Sequence, residues 1–178
     1  MNKPQPVWII VTSVLGLYLG IQAMLSVPGM LSIFMNATAA SSMSISTLVV
    51  CLSSLNAAAL PFSSLLLLGK NNPLPYARTN FILFGVLLIY PTLSIADIFL
   101  VPSLRVVALL AIIPLGLPLL AMLAAAQAVK QARNPSAYNL PASKFVNRHF
   151  SAIVATYLLI LVGLGASLFL VYSISPNP

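Results

Sequence analysis

The feature that most constrains this chain is a series of long apolar stretches that carry almost no charge. Each is close to the length of about 20 residues that an α-helix needs to cross a bilayer. Only 5% of the 178 residues are charged and the mean hydropathy is +1.06, whereas soluble domains carry about 25% charged residues. The sequence therefore predicts an all-α, polytopic integral membrane protein, a five-transmembrane-helix bundle in which residues 1–178 form one membrane domain. The predicted spans are roughly 7–25, 45–69, 80–101, 105–129 and 150–174.

Two polar stretches, 70–79 and 130–149, combine prolines with basic residues and are predicted to be loops. With five spans, these loops lie on the same side of the membrane as Lys3. With Lys3 counted, this side holds seven of the eight Lys and Arg residues, and Arg105 alone lies on the other side. Short cytoplasmic loops collect Lys and Arg. We therefore expect a cytoplasmic N-terminus, an outside C-terminus and a location in a bacterial inner membrane, with no nucleic-acid partner.

The predicted outer segment, residues 26–44, contains no charged residue. Pro28 could open a short helix whose apolar side chains rest on the lipid surface. The alternative is a re-entrant segment that lines a cavity. We favour the interfacial segment, because backbone within the bilayer must be covered by other protein.

The second basic loop is expected to anchor the protein at anionic lipid headgroups. His149 follows this loop but has no second histidine or acidic residue near it in the sequence, so anchoring is favoured over metal binding. The candidate lipid contacts are Lys130, Arg133, Lys144 and Arg148.

Small residues recur at helical spacing in the first span, at Ser13, Gly16, Gly20 and Ala23. Such a face lets the backbone of another helix approach closely. The simplest interpretation is packing against another helix of the same bundle. If one face of the bundle instead contacts a partner protein or a second copy, this small-residue face is the first candidate.

Asp97 is the only residue with a side-chain carboxylate. It lies four residues before the predicted hairpin link at 101–104, about 6 Å of helix rise from the outer boundary. Arg105 begins the next span on the same side, so a structural ion pair is favoured over a proton or cation relay. Asn56 and Tyr90 lie nearer mid-span and are the polar groups expected around any buried ligand or ion path.

The chain has one Asp, no Glu, one His and one Cys, too few titratable groups for an acid–base pair or a metal cluster. We therefore predict no enzyme activity, cofactor or metal, and a role as an accessory, assembly or scaffold subunit of a larger membrane complex. Membrane lipids and other membrane proteins, or a second copy, are the expected partners. The alternative is a small oligomeric transporter or channel that uses Asp97 and proline-broken helices, and a lipid-modifying enzyme ranks third. Prolines within the spans are Pro61, Pro91, Pro114 and Pro118.

Overall fold

A computed structural model describes residues 4–39, 45–100, 115–139, 148–149, 151–156, 158–159 and 162–163. These residues form helices and short connections, without β-strands among them, which confirms the predicted all-α class. The long helices are α1 (Val7–Ala39), α2 (Ile45–Gly69), α3 (Leu74–Leu100) and α4 (Gly116–Arg133), and a short 3-10 helix follows at Pro135–Ala137. The described residues between 148 and 163 are also helical.

The four long helices form an antiparallel bundle. Helix α1 packs against α2 and α4, and α3 packs against the same two neighbours, so α1 and α3 lie diagonally across the interior. The starts of α1 and α3 and the ends of α2 and α4 meet in one apolar cluster formed by Ile9, Leu67, Ala77, Ala128 and Ala132. We call this end of the bundle the basic end, because it also carries Lys70, Arg78, Lys130 and Arg133.

A second apolar cluster lies further into the bundle. Its largest fully buried members are Leu60 of α2 and Phe84 of α3. Helix α4 contributes the buried alanines 121 and 125, and its Leu117 and Met122 pack against the cluster while partly buried. Alanine side chains at these positions let α4 approach the bulky side chains of α3 closely.

Three helix bounds differ from the prediction. Helix α1 continues past the predicted span to Ala39, so the backbone of residues 26–39 is helical through Pro28. One proline removes a single backbone donor, and the remaining hydrogen bonds hold the helix. Helix α3 begins at Leu74 rather than 80, since Pro75 lies in the first turn, where its missing N–H costs nothing. Helix α4 ends at Arg133 rather than 129.

Helix α2 has the bounds predicted for the second span. Only four residues, 70–73, connect α2 and α3, and this short link explains their antiparallel packing. The predicted link at 101–104 and the first half of the predicted fourth span fall in 101–114, outside the described residues. Most of the predicted fifth span also lies outside them.

Among the described residues, one helical stretch, Val7–Leu25, is long and apolar enough to cross a membrane. Two further apolar stretches, Ala58–Gly69 and Leu74–Ile89, are shorter. These lengths do not by themselves confirm a bundle of five spans, because a buried helix of a soluble protein can have the same composition.

Candidate functional site

Polar side chains are concentrated inside the bundle, between the two apolar clusters. We call this group the polar layer, and all its members are at most 4% exposed. Ser64 Oγ of α2 donates to Asn80 Oδ1 of α3 at 3.3 Å, and Ser63 Oγ donates to the Tyr76 carbonyl at 3.2 Å. These hydrogen bonds join α2 to α3 within the interior. The polar layer comprises Thr12, Ser13, Ser63, Ser64 and Asn80.

The small-residue face of α1 borders this layer and packs against α2. A Cβ atom on Gly16 would collide with Ser64 Oγ, and a Cβ on Gly20 would collide with the ring of Pro61. Ser13 and Ala23 are also buried. The face therefore lies within the chain, which corrects the idea that it is the first candidate for contact with a partner. The physical reason is that Ser64 and Pro61 already occupy the space that the missing side chains leave.

The first turn of α1 is joined to the last turn of α4. The first N–H groups of a helix have no partner within the helix. Here the N–H groups of Trp8 and Ile9 donate to Gln131 Oε1, at 3.1 and 3.4 Å. Nearby, the N–H of Asn139 donates to the Pro4 carbonyl at 3.0 Å. Gln131 could not be recognised from the sequence, because a side chain that caps a helix far away in the sequence leaves no local pattern.

The outer surface of the bundle exposes many large apolar side chains. On α1 the exposed side chains include Val14, Tyr18, Ile21 and Leu25, which follow one another at spacings of three or four residues and so share one helix face. The outward side chains of α3 and α4 are also large and apolar, and they include Ile82, Leu119, Leu120 and Leu123. The bundle thus buries a polar layer between two apolar clusters and leaves many large apolar side chains exposed on α1, α3 and α4.

The basic end combines charge with aromatic rings. Lys70, Arg78, Lys130 and Arg133 are exposed there. Trp8 is 43% exposed at the start of α1, and Tyr76 and Tyr138 are partly exposed near the same end. Trp and Tyr side chains are enriched where a membrane protein crosses the headgroup region. The aromatic residues were not singled out from the sequence, because they lie on separate segments that only the fold brings together.

The other predicted site residues have different outcomes. Asn56 is buried in α2, at 1% exposure. Asp97 and Tyr90 belong to α3, but their side chains lie outside the described residues, as does all of Arg105. The predicted pairing of Asp97 with Arg105 therefore stays a prediction. Among the predicted lipid contacts, Lys130, Arg133 and Arg148 are exposed, whereas Lys144 lies outside the described residues.

Within the described part of the chain, no three His, Cys, Asp or Glu residues come together in a way that could hold a metal ion. Comparison with known proteins gives no match to a family model, a curated protein or a solved structure.

Proposed function

We propose that this chain is a multi-span integral membrane protein that acts through helix packing, as an accessory, assembly or scaffold subunit of a larger complex in a bacterial inner membrane. The membrane part is supported by the large apolar side chains that the bundle leaves exposed, such as Leu120 at 60%, while the polar residues Thr12 and Asn80 are fully buried. Lipid tails are a favourable surrounding for exposed leucines, whereas buried hydroxyl and amide groups can join helices where water is absent.

The threading that we propose has five spans with a cytoplasmic basic end. Helices α1, α2 and α3 contain 33, 25 and 27 residues, so each is longer than the hydrocarbon core, about 30 Å, at about 1.5 Å of rise per residue. The antiparallel bundle brings together the end of α2, the start of α3 and the end of α4, and each of these carries basic side chains. In the positive-inside pattern, such an end faces the cytoplasm.

The threading can be tested with reporter fusions placed after residues 72, 103, 140 and 178. Fusions after 72 and 140 should report from the cytoplasm, and fusions after 103 and 178 from the outside. A cytoplasmic reporter after residue 178 would contradict the five-span threading, whatever the other three fusions show.

The partner surface that we propose is the outer apolar face of α1 or α4, because the small-residue face is covered by α2. A photoreactive amino acid at Ile21 or at Leu120, both exposed, should form cross-links to another membrane protein in intact cells. Purification in mild detergent should retain the same protein. Recovery of the free chain or of a homo-oligomer alone, without protein cross-links at either position, would contradict the accessory role.

The second candidate function is a small transporter or channel. It is favoured by the buried polar side chains, since Asn56 is a further buried polar residue of α2, about two helical turns from Ser64. In this function Asp97 would take part in ion or proton movement. The change Asp97→Asn should then abolish a measured flux while protein abundance stays constant, and unchanged flux would remove Asp97 from the mechanism.

A further inference from the structure

Two polar atoms of the polar layer have no hydrogen-bond partner within the described part of the chain, Thr12 Oγ1 and Asn80 Nδ2. Both residues are 0% exposed. Other helical hydroxyls here bond to the carbonyl four residues earlier: Ser13 to Ile9 at 2.9 Å and Thr79 to Pro75 at 3.0 Å. Thr12 does not. A buried polar group without a partner is costly, so each such group in a native bundle calls for an explanation.

We infer the relative position of Thr12 and Asn80 from one contact between α1 and α3. Phe84 Cζ of α3 lies 3.5 Å from the point that a Cβ on Gly16 of α1 would occupy. Helices α1 and α3 both start at the basic end, so they run parallel. Thr12 and Asn80 each precede this contact by four residues, about one helical turn, and therefore share its helix faces. Thr12 and Asn80 are thus expected at the same level of the bundle, next to Ser64, whose Oγ donates to Asn80 Oδ1.

The chemistry of this layer selects a neutral occupant. It offers hydroxyl and amide groups, and the only side-chain carboxylate of the protein, Asp97, lies 17 residues further along α3 than Asn80. A cation or an anion would therefore be buried without an opposite charge, which is far more costly than burying a neutral polar molecule. A ligand here must both donate and accept hydrogen bonds and must fit among packed side chains.

We propose that the polar layer is a binding site for a single water molecule that bridges Thr12 Oγ1 of α1 and the side-chain amide of Asn80 of α3. Buried waters in proteins make about three hydrogen bonds to groups that would otherwise lack partners. A rotation of the Asn80 amide by about 180° would exchange its oxygen and nitrogen. The water can still bond to the amide in that orientation, because water both accepts from nitrogen and donates to oxygen. The site joins the diagonal helices α1 and α3.

The water site is closed on both sides along the bundle. Ile9 and Ala77 lie one turn closer to the basic end and belong to the first apolar cluster. Leu60 and Phe84 lie one turn further inside and belong to the second. The water is therefore a fixed part of the interior that exchanges slowly with bulk solvent. The inference concerns interior contacts only, so it does not depend on the proposed role in a larger complex.

The test uses the full chain in detergent micelles and the change Thr12→Val, which removes the hydroxyl and keeps the side-chain shape. With a bridging water, Thr12→Val removes a hydrogen bond and leaves the water under-bonded, and it should lower the Tm by about 2–4 °C. The matched control is Thr79→Val, at an exposed position of α3 where the hydroxyl bonds only within its own helix. This control should change the Tm by less.

The same change is then made in an Asn80→Leu background. If one water joins the two side chains, Thr12→Val should cost much less there than in the parent protein, because the bridge is already broken. An unchanged or raised Tm for Thr12→Val in the parent protein would overturn the proposal, since removing an unpaired buried hydroxyl is neutral or stabilising.

A structure of the full chain in which ordered waters are visible provides the second measurement. It needs no variant, so it decides the question even if Asn80→Leu fails to fold. Density for one water within hydrogen-bond distance of Thr12 Oγ1 and the Asn80 amide is the expected result. A direct hydrogen bond between the two side chains, or density for neither, would overturn the proposal.

Discussion

Replacing Gly20 with alanine tests the contact between α1 and α2 most directly. The added Cβ would collide with the ring of Pro61, and it would lie 2.6 Å from Pro61 Cδ and 3.1 Å from the Pro61 backbone nitrogen. A proline ring cannot rotate away, so the two helix backbones would have to separate. Gly16→Ala is a milder change, because its first collision is with Ser64 Oγ, which can rotate, although Ser64 Cβ lies at 3.2 Å.

The magnitude can be derived by comparison with a glycine that has room. At Gly85 an added Cβ would meet only Met122 Sδ, at 3.9 Å, which is an ordinary contact. Gly85→Ala should therefore show only the helix-propensity gain, up to about 1 kcal/mol. Gly20→Ala has the same gain but also an overpacking cost of about 1–3 kcal/mol. We expect Gly20→Ala to be less stable than Gly85→Ala by about 1–3 kcal/mol, with Gly16→Ala between them.

The assay is equilibrium unfolding of the three purified variants in one detergent, with the free energy of unfolding compared with that of the parent protein. The order of stability should be Gly85→Ala, then Gly16→Ala, then Gly20→Ala. If Gly20→Ala is as stable as Gly85→Ala, the close approach of α1 to α2 at Pro61 is refuted, and the small-residue face would again be available to a partner.

Two further predictions concern the basic end. Gln131→Ala should lower the free energy of unfolding in urea by about 1 kcal/mol, as loss of a helix cap does. The control, Gln127→Ala on the exposed side of α4, should have little effect. Equal effects of the two changes would show that Gln131 does not cap α1. Anionic lipid should raise the Tm of the parent protein more than zwitterionic lipid does, because anionic headgroups attract basic side chains. Joint replacement of Lys130 and Arg133 by glutamine should reduce this difference in Tm. An unchanged difference would exclude the two residues as lipid contacts.

The sequence predicted the elements of this fold better than their contacts. The bounds of α2 followed from its apolar run, and the small-residue face of α1 was recognised from its spacing. Which helix would cover that face could not be predicted, because the pairing depends on Pro61 and Ser64 meeting the two glycines in the folded bundle. Spacing within one helix identifies a groove but carries no information about its occupant.

The polar layer was also hidden in the sequence. Thr12, Ser64 and Asn80 lie on three helices and show no shared motif. Asn80 stands at the border of a predicted loop, where an asparagine is ordinary. Because α3 begins six residues earlier than predicted, at Leu74, Asn80 becomes a buried interior residue. A shift in one helix start therefore decided whether a key polar group faced solvent or the bundle.

The distribution of side chains in the folded bundle argues for a lipid surrounding more strongly than helix length does. A core helix of a soluble protein can match Val7–Leu25 in length and composition, but it would not leave Val14, Ile21 and Leu25 more than half exposed. Removing such a side chain fully from water is worth about 1.5–3 kcal/mol. For several outward residues on α1, α3 and α4 together, this free energy approaches the net stability of a whole domain, about 5–15 kcal/mol. In water the bundle would gain by associating or rearranging, whereas in a bilayer the same surface is already solvated.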